Sequence, residues 1–154
     1  MLIRTGHIAD LKALQNLFVD TITHVCKADY DNEQIEAWTS GIENLQRWLD
    51  ILSNQLVLIA EEKGKIIGFC SLHHGNYIDL FYVHKDHQRQ GVAYQLYQEI
   101  EKEARKLKQT TLVSDLSITA RKFFEKMGFE VLKEQSVKVK EVTLTNYKMM
   151  KKIN

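Results

Sequence analysis

The stretch His84-Lys85-Asp86-His87-Gln88-Arg89-Gln90-Gly91-Val92-Ala93 decides how this chain is read. Before it, residues 77–83 have the character of a strand, and after it, residues 94–107 carry apolar side chains at helical spacing. A polar loop that turns from strand into helix at a glycine leaves several backbone N–H groups unpaired and pointing one way, at the positive end of a helix dipole. The loop is therefore expected to cradle a pyrophosphate. It is not a dinucleotide fingerprint, because Gln90-Gly91-Val92-Ala93-Tyr94-Gln95 lacks two of the three glycines, and no Gly-x4-Gly-Lys-Ser/Thr run occurs. Taken alone, the loop also suits an ordinary strand-to-helix turn in which Gly91 only accommodates the backbone.

With 154 residues the chain is long enough for one domain with a self-sufficient core, and residues 1–154 are read as one unit. Lys and Arg (21) nearly balance Asp and Glu (20), so no global basic field draws the chain to nucleic acid or anionic lipid. Any anion site must be local. Cys26 and Cys70 form no Cys-x-x-Cys pair and no zinc spacing, which suggests reduced core thiols, and no metal site is expected. No apolar run reaches membrane-spanning length and Arg4 comes too early for a signal peptide, so a cytoplasmic location is expected.

Proline is absent and no low-complexity linker or repeat breaks the chain. Residues 2–4 read as a strand, and Ile8 to Val25 as a helix with one buried face. Residues 26–40 are turn-rich and stay unassigned, followed by a second amphipathic helix from Ile42 to Leu52. Residues 55–62 and 65–73 are strands joined at Lys63-Gly64, and Gly75-Asn76 leads into the strand 77–83. A helix from Gly91 pairs Glu101 with Arg105 on its wet side. A short strand 110–114, a helix capped by Ser117 and ended by Gly128, and two closing strands, 129–137 and 141–150, complete the chain. This order predicts an α/β fold, a mixed sheet with helices on both faces.

Three segments carry a family resemblance. Gln88-x-x-Gly91-x-Ala93 resembles the Gln/Arg-x-x-Gly-x-Gly/Ala signature of the GCN5-related N-acetyltransferases (GNAT family), whose loop binds the pyrophosphate of acetyl-CoA. Ala120-Arg121-Lys122-Phe123-Phe124-Glu125-Lys126-Met127-Gly128-Phe129 resembles the family's Ala-x-x-x-Tyr/Phe-x-x-x-Gly-Phe segment. Tyr77-Ile78-Asp79-Leu80-Phe81-Tyr82-Val83 resembles its fourth strand, whose splayed backbone receives the pantetheine arm. Asp79, the region 113–121, residues 143–149 and Trp38 are similar to the YafP-like branch. The resemblance implies the GNAT fold, with a mostly antiparallel central sheet of about seven strands, and an acetyl-CoA-dependent N-acetyltransferase. It places acetyl-CoA against Phe81, Tyr82 and Val83, against Gln88, Arg89, Gln90, Gly91, Val92 and Ala93, and near Ser117 and Phe124.

An amine attacking a thioester needs a held thioester, a neutral amine, and help for the oxyanion and the departing thiolate. The Tyr that protonates the thiolate in the family would fall at Phe124, which cannot donate a proton and is left to pack an aromatic face against the cofactor tail or the core. Substitute hydroxyls are Ser117, Ser114, Tyr82 and Tyr147. Asp79 is the candidate base, because a carboxylate in an apolar strand must be exposed, paired or functional. Strict alternation would set Tyr77, Asp79, Phe81 and Val83 on one face and Ile78, Leu80 and Tyr82 on the other. Pairing of Asp79 with a neighbouring cation, and proton relay by His73 or His74, stay open. By the resemblance, Tyr30, Glu36, Trp38 and Trp48 lie in the segment over the acceptor cleft, with Trp38 the pocket candidate and Trp48 core.

The expected reaction moves acetyl from acetyl-CoA to a primary amine of a small molecule by direct attack in a ternary complex, with Asp79, Ser117 and Tyr147 as candidate catalytic residues. A protein or peptide N-acetyltransferase and a non-catalytic acyl-CoA-binding module are the alternatives. A hydrolase lacks its Gly-x-Ser-x-Gly elbow. A monomer or homodimer without nucleic acid or membrane partners is expected.

Overall fold

Amphipathic periodicity and turn chemistry build the elements of the computed structural model, which describes residues Met1–Asn154. Strand β1 (Leu2–Thr5) leads through a 3-10 turn into helix α1 (Leu11–Val25), which buries Leu14, Leu17, Phe18 and Ile22 along one stripe. Helix α2 (Asn32–Thr39) lies inside the segment that the sequence leaves unassigned. A capping box starts it: Gln34 N–H donates to the Asp31 carboxylate, and Asp31 N–H to Gln34 Oε1. A further 3-10 turn leads to α3 (Leu45–Asn54), so three helices, not the two expected, precede β2 (Leu56–Glu62).

Strands β3 (Lys65–His73) and β4 (Tyr77–Val83) follow, then α4 (Val92–Lys106), β5 (Thr111–Ser117), α5 (Ile118–Lys126), β6 (Glu130–Val139) and β7 (Val142–Lys152). Ser117 caps α5 by accepting Ala120 N–H, as expected, although β5 runs on to Ser117 and is longer than the expected strand ending at residue 114. The seven strands form one sheet in the order β1-β2-β3-β4-β5-β7-β6. Every neighbouring pair is antiparallel except β4 and β5. Helices α4 and α5 cover one face, around Leu96, Ile100, Leu112 and Phe124; α1, α2 and α3 cover the other, around Leu14, Ile22, Trp48 and Phe69. No helix is long and apolar enough to cross a membrane.

Strand β4 departs from the expected alternation. Cys70 faces Phe81 and Leu72 faces Ile78, so Ser71 of β3 stands opposite two residues, Asp79 and Leu80. This is a β-bulge, and it turns the strand over. Ile78, Phe81 and Val83 pack on the α4 side, while Leu80 and Tyr82 pack on the α1 side; Ile78 and Leu80 therefore lie on opposite faces rather than one. On its other edge β4 meets β5 only at Tyr77↔Val113 and Ile78↔Ser114, beyond which the two parallel strands part.

Buried backbone groups at such a place need partners. The three buried polar residues of the chain, Thr21, Ser71 and Ser114, all hydrogen-bond to the main chain of β4. Ser71 Oγ accepts Leu80 N–H at 3.1 Å, Ser114 Oγ donates to Ile78 C=O at 2.7 Å, and Thr21 Oγ1 donates to Val83 C=O at 3.0 Å. Each replaces a bond that the bulge or the parting of the strands removes.

Ser71→Ala leaves the Leu80 N–H buried without an acceptor and is expected to lower unfolding stability by about 1–3 kcal/mol. Chemical denaturation checks it; a change within experimental error would mean that the bulge finds another acceptor. A second expectation concerns Glu101 on α4, which meets Lys151 Nζ at 2.6 Å, Tyr97 OH at 2.6 Å and Arg105 Nε at 3.1 Å. Burial alone would raise its carboxyl, yet the three donors prevail and hold it down at about 2, below its ordinary 4.5. Because the folded value is the lower one, this stabilisation is present above about pH 4.5 and is lost as pH falls toward about 2. Glu101→Gln should flatten that part of the stability-versus-pH curve, measured by thermal melts.

Candidate active site

The loop after β4 is built as an anion nest. Val83 ends the strand, residues Lys85–His87 make one 3-10 turn, and His84 Nδ1 accepts Asp86 N–H to hold that turn. Arg89 (φ +58°) and Gly91 (φ +84°) both take the left-handed conformation, and α4 begins at Val92. The first backbone bond of this helix comes from Gln95 N–H to Gly91 C=O, and the N–H groups of Arg89, Gln90, Gly91, Val92 and Ala93 have no protein acceptor. A side chain at Gly91 would project into open space, since nothing lies within 4 Å of a Cβ built there. A diphosphate fits this cradle of free donors at a helix N-terminus.

The side chains of the loop differ from expectation in one respect. The Gln88 amide does not reach outward toward phosphate; it folds back and donates to Val83 C=O at 2.7 Å and His84 C=O at 3.4 Å, closing the loop on its own strand. Arg89 is exposed and makes no ion pair, while Lys85 lies 3.7 Å from Asp20 on α1. The Val92 side chain is buried, so Val92 offers only its N–H to the cradle.

Upstream, His84 N–H donates to Ile67 C=O and Tyr82 lies opposite Phe69 in the same ladder. Antiparallel alternation then directs the backbone groups of Phe81 and Val83 away from β3, into the gap that β5 has left. Thr21 and Gln88 occupy the Val83 carbonyl, leaving Val83 N–H and both polar groups of Phe81 on an open edge. This edge suits an amide-bearing arm laid alongside as an added strand.

At the fork between β4 and β5 opens a cleft of about 370 Å³. Phe18, Tyr30, Trp38 and Tyr82 form an aromatic wall, and Tyr77, Asp79, Asp115 and Ser117 supply polar groups. Asp79 Oδ1 lies 2.8 Å from Arg47 Nη2 on α3, and its Oδ2 accepts the Gln55 amide at 2.8 Å. The pairing left open for Asp79 is thus the one the side chain makes. Asp115 Oδ2 accepts the Tyr77 hydroxyl at 2.6 Å and its Oδ1 accepts the Gln135 amide at 2.8 Å. Lys148 Nζ stands 4.0 Å from Asp115.

Tyr30 is held by its hydroxyl, which donates to Thr145 C=O at 2.6 Å and accepts Ile118 N–H at 3.0 Å. Burial pushes this phenol up to about 12, against the Ile118 bond. Burial likewise raises the Tyr82 phenol, and that of Tyr77 together with its Asp115 bond. All three stay protonated at neutral pH.

Several expected positions fall elsewhere. Phe124 is fully buried among Phe81, Tyr97, Phe123 and Phe129, so it contributes core packing and no exposed surface for acetyl-CoA. Tyr147 is outside the cleft lining; its ring lies under Arg121 of α5, 4.6 Å from the guanidinium. Ser114 spends its proton on Ile78, whereas Ser117 accepts Ala120 N–H at the cleft and keeps its own proton to donate. Trp38 lines the cleft from α2, Trp48 is core, and Glu36 faces a separate surface depression with Glu33 and Glu43. The rings of His73 and His74 lie tilted against one another, 3.8 Å between centroids, and His73 borders a shallow pocket with Arg47 and Gln55. Sequence reading missed Arg47, Tyr77, Asp115, Gln135 and Asn146; Asp115 escaped because the strand was ended one residue before it.

Comparison with known proteins identifies the family of the chain. The acetyltransferase (GNAT) domain description matches residues 26–151. The chain is 32% identical over 148 residues to uncharacterized N-acetyltransferase YafP of Escherichia coli (strain K12), covering 96% of this chain and 93% of that protein. A crystal structure of a GCN5-related N-acetyltransferase from Rhodopseudomonas palustris superposes with a TM-score of 0.94 at 32% identity, over 98% of this chain and 94% of that one. The PaiA N-acetyltransferase of Thermoplasma acidophilum, solved with coenzyme A, shares the fold at a TM-score of 0.78 and 21% identity, over 98% of both chains. The chain belongs to the GNAT family as a YafP-like member, an acetyl-CoA-dependent N-acetyltransferase.

Proposed function

We propose that the chain transfers the acetyl group of acetyl-CoA to a primary amine of a small molecule by direct attack within a ternary complex. The observation that carries this reading is the fork: a diphosphate nest at Arg89–Ala93 continues along the open edge of Phe81 and Val83 to a cleft holding two carboxylates and an aromatic wall. The diphosphate sits on backbone N–H groups, the pantetheine arm runs along β4, and the thioester reaches the cleft where β4 and β5 part. An amine on the α1 side of the sheet then meets the carbonyl carbon.

Direct attack is supported by the thiols. Cys26 and Cys70 are both buried, and burial raises their thiols, Cys26 to about 11, so neither is a ready acyl carrier. A small acceptor is supported by the β6–β7 hairpin, whose Val137, Val139 and Leu144 wall the cleft. The hairpin is tied down by Tyr30 to Thr145 C=O, Gln34 to Thr143 C=O at 2.9 Å, and Lys140 to Glu43 at 3.0 Å. Such a bound roof suits a compact amine better than an extended polypeptide. Asp79 places negative charge at the fork and the rings add cation–π attraction, which together favour a cationic acceptor. Ser117 is the hydroxyl available to the departing thiolate.

Gly91→Val strains a left-handed backbone position and fills the space above the nest. Calorimetric CoA affinity should fall by about tenfold or more, roughly 1.4 kcal/mol, with an unchanged circular dichroism spectrum. Unaltered CoA affinity in the folded variant would remove the loop from the acetyl-CoA site. Asp79→Asn keeps shape and removes the charge facing Arg47. Steady-state kinetics over a panel of monoamines, diamines, amino acids and peptides should show kcat/KM lowered by about tenfold or more for cationic amines, with CoA affinity unchanged. Wild-type turnover confined to peptides would overturn the small-molecule reading.

A further inference from the structure

We propose that Tyr77 and Asp115 form a proton relay from the acceptor nitrogen to solvent, the first serving as the group that faces the amine and the second as the final base. The inference rests on the reading above that the chain acetylates an amine. Tyr77 and Asp115 belong to strands that part immediately beyond Ile78↔Ser114, so the pair sits at the vertex of the fork, and both residues line the cleft. Their hydrogen bond is 2.6 Å long, the ordinary length for a hydroxyl donating to a carboxylate. Asp115 is in turn oriented by the Gln135 amide, which also donates to Asn146 Oδ1 at 3.0 Å. The Asp115 side chain is 29% exposed, which gives the far end of the pair an exit to water.

Asp79 is the poorer outlet, because its side chain is only 13% exposed and a guanidinium stands 2.8 Å from it. A phenol, by contrast, accepts on its oxygen while giving up its own hydrogen. The acceptor enters as an ammonium ion. One N–H proton passes to Tyr77 oxygen as the Tyr77 proton passes to Asp115 Oδ2, and Asp115 returns it to solvent. The freed nitrogen lone pair then forms the C–N bond to the thioester carbon. The C–S bond breaks with its electron pair on sulfur, and the second nitrogen proton balances that thiolate as the CoA thiol. The net products are amide, CoA thiol and one proton released to water.

The charged and titratable groups facing the pair are Asp79 on β4, Lys148 on β7 and, through Asp79, Arg47 on α3. Lys148 adds positive charge beside Asp115, and Asp79 opposes loss of the phenol proton from Tyr77, so the phenol of the resting pair keeps its proton.

The test is the pH dependence of kcat/KM for Tyr77→Phe and Asp115→Asn, with the monoamine that wild type turns over fastest. Each variant should lose about a hundredfold at neutral pH, the size of a general-base contribution, and the loss should shrink as pH approaches the amine's own pKa, where the free base needs no relay. CoA affinity and melting temperature, measured alongside, should stay near wild type for Tyr77→Phe, which keeps the ring. A loss uniform across pH, or no loss in either variant, would overturn the relay while leaving acetyl transfer standing. Absence of wild-type turnover with every amine tested would overturn the functional reading and the relay with it. If Asp115→Asn does not fold, the Tyr77→Phe profile decides alone.

Discussion

The main chain of β4 is the constraint on which the rest of the structure depends. It bulges against β3 and parts from β5, so it loses ladder bonds on both edges while staying inside the protein. A buried N–H or C=O without a partner costs more than a typical hydrogen bond contributes. The chain answers with hydroxyls from three other elements, Thr21 from α1, Ser71 from β3 and Ser114 from β5, and has no other buried polar residue. Two groups of β4 are thereby satisfied next to the bulge and the Val83 carbonyl beyond it, while the Val83 N–H and both polar groups of Phe81 stay on an open edge. Opening a sheet without unfolding it is thus a matter of where a few hydroxyls are placed.

That opening also sets the electrostatics. The bulge turns Asp79 toward α3, where Arg47 and Gln55 hold it, and the parallel register carries Tyr77 beside Asp115. Each carboxylate has a cation from a different element, Arg47 on one and Lys148 at 4.0 Å on the other. The cleft is therefore polar at its vertex and aromatic along its wall, and an ammonium ion and a thioester are both suited to it. The loop before α4 differs: its positive end comes from free backbone N–H groups and the helix dipole, with Arg89 and Lys85 as charged side chains in the same loop.

Much of the fold is legible in the sequence because its signals are local. The strand at Tyr77–Val83 and the helix from Val92 follow from residue type and spacing, and Ser117 declares its own cap. Helix α2 is hidden because its apolar face is short, though the Asp31-x-x-Gln34 capping box marks its start. The alternation expected in β4 fails because a bulge depends on what stands opposite, and the Ser71 hydroxyl lies on another strand. Phe124 is legible as a position that cannot donate a proton, but Phe81 and Tyr97 of other elements, which close on it together with Phe123 and Phe129 nearby in the chain, decide that it is core.

The sequence by itself determines the order of the elements other than α2, and the strand-to-helix loop with its free N–H groups, since a nest needs only consecutive residues, one glycine and the start of a helix. It also names Asp79, whose charge stands out in an apolar strand. Only the tertiary structure decides what these groups meet: Arg47 for Asp79, Tyr77 for Asp115, Val83 for the Gln88 amide, and Arg121 for Tyr147. Parallel register and side-chain pairing join segments far apart in the chain, and no pattern within either segment records its partner. Local physics therefore specifies the loop with its free N–H groups, and long-range packing specifies the partners of the cleft's polar side chains.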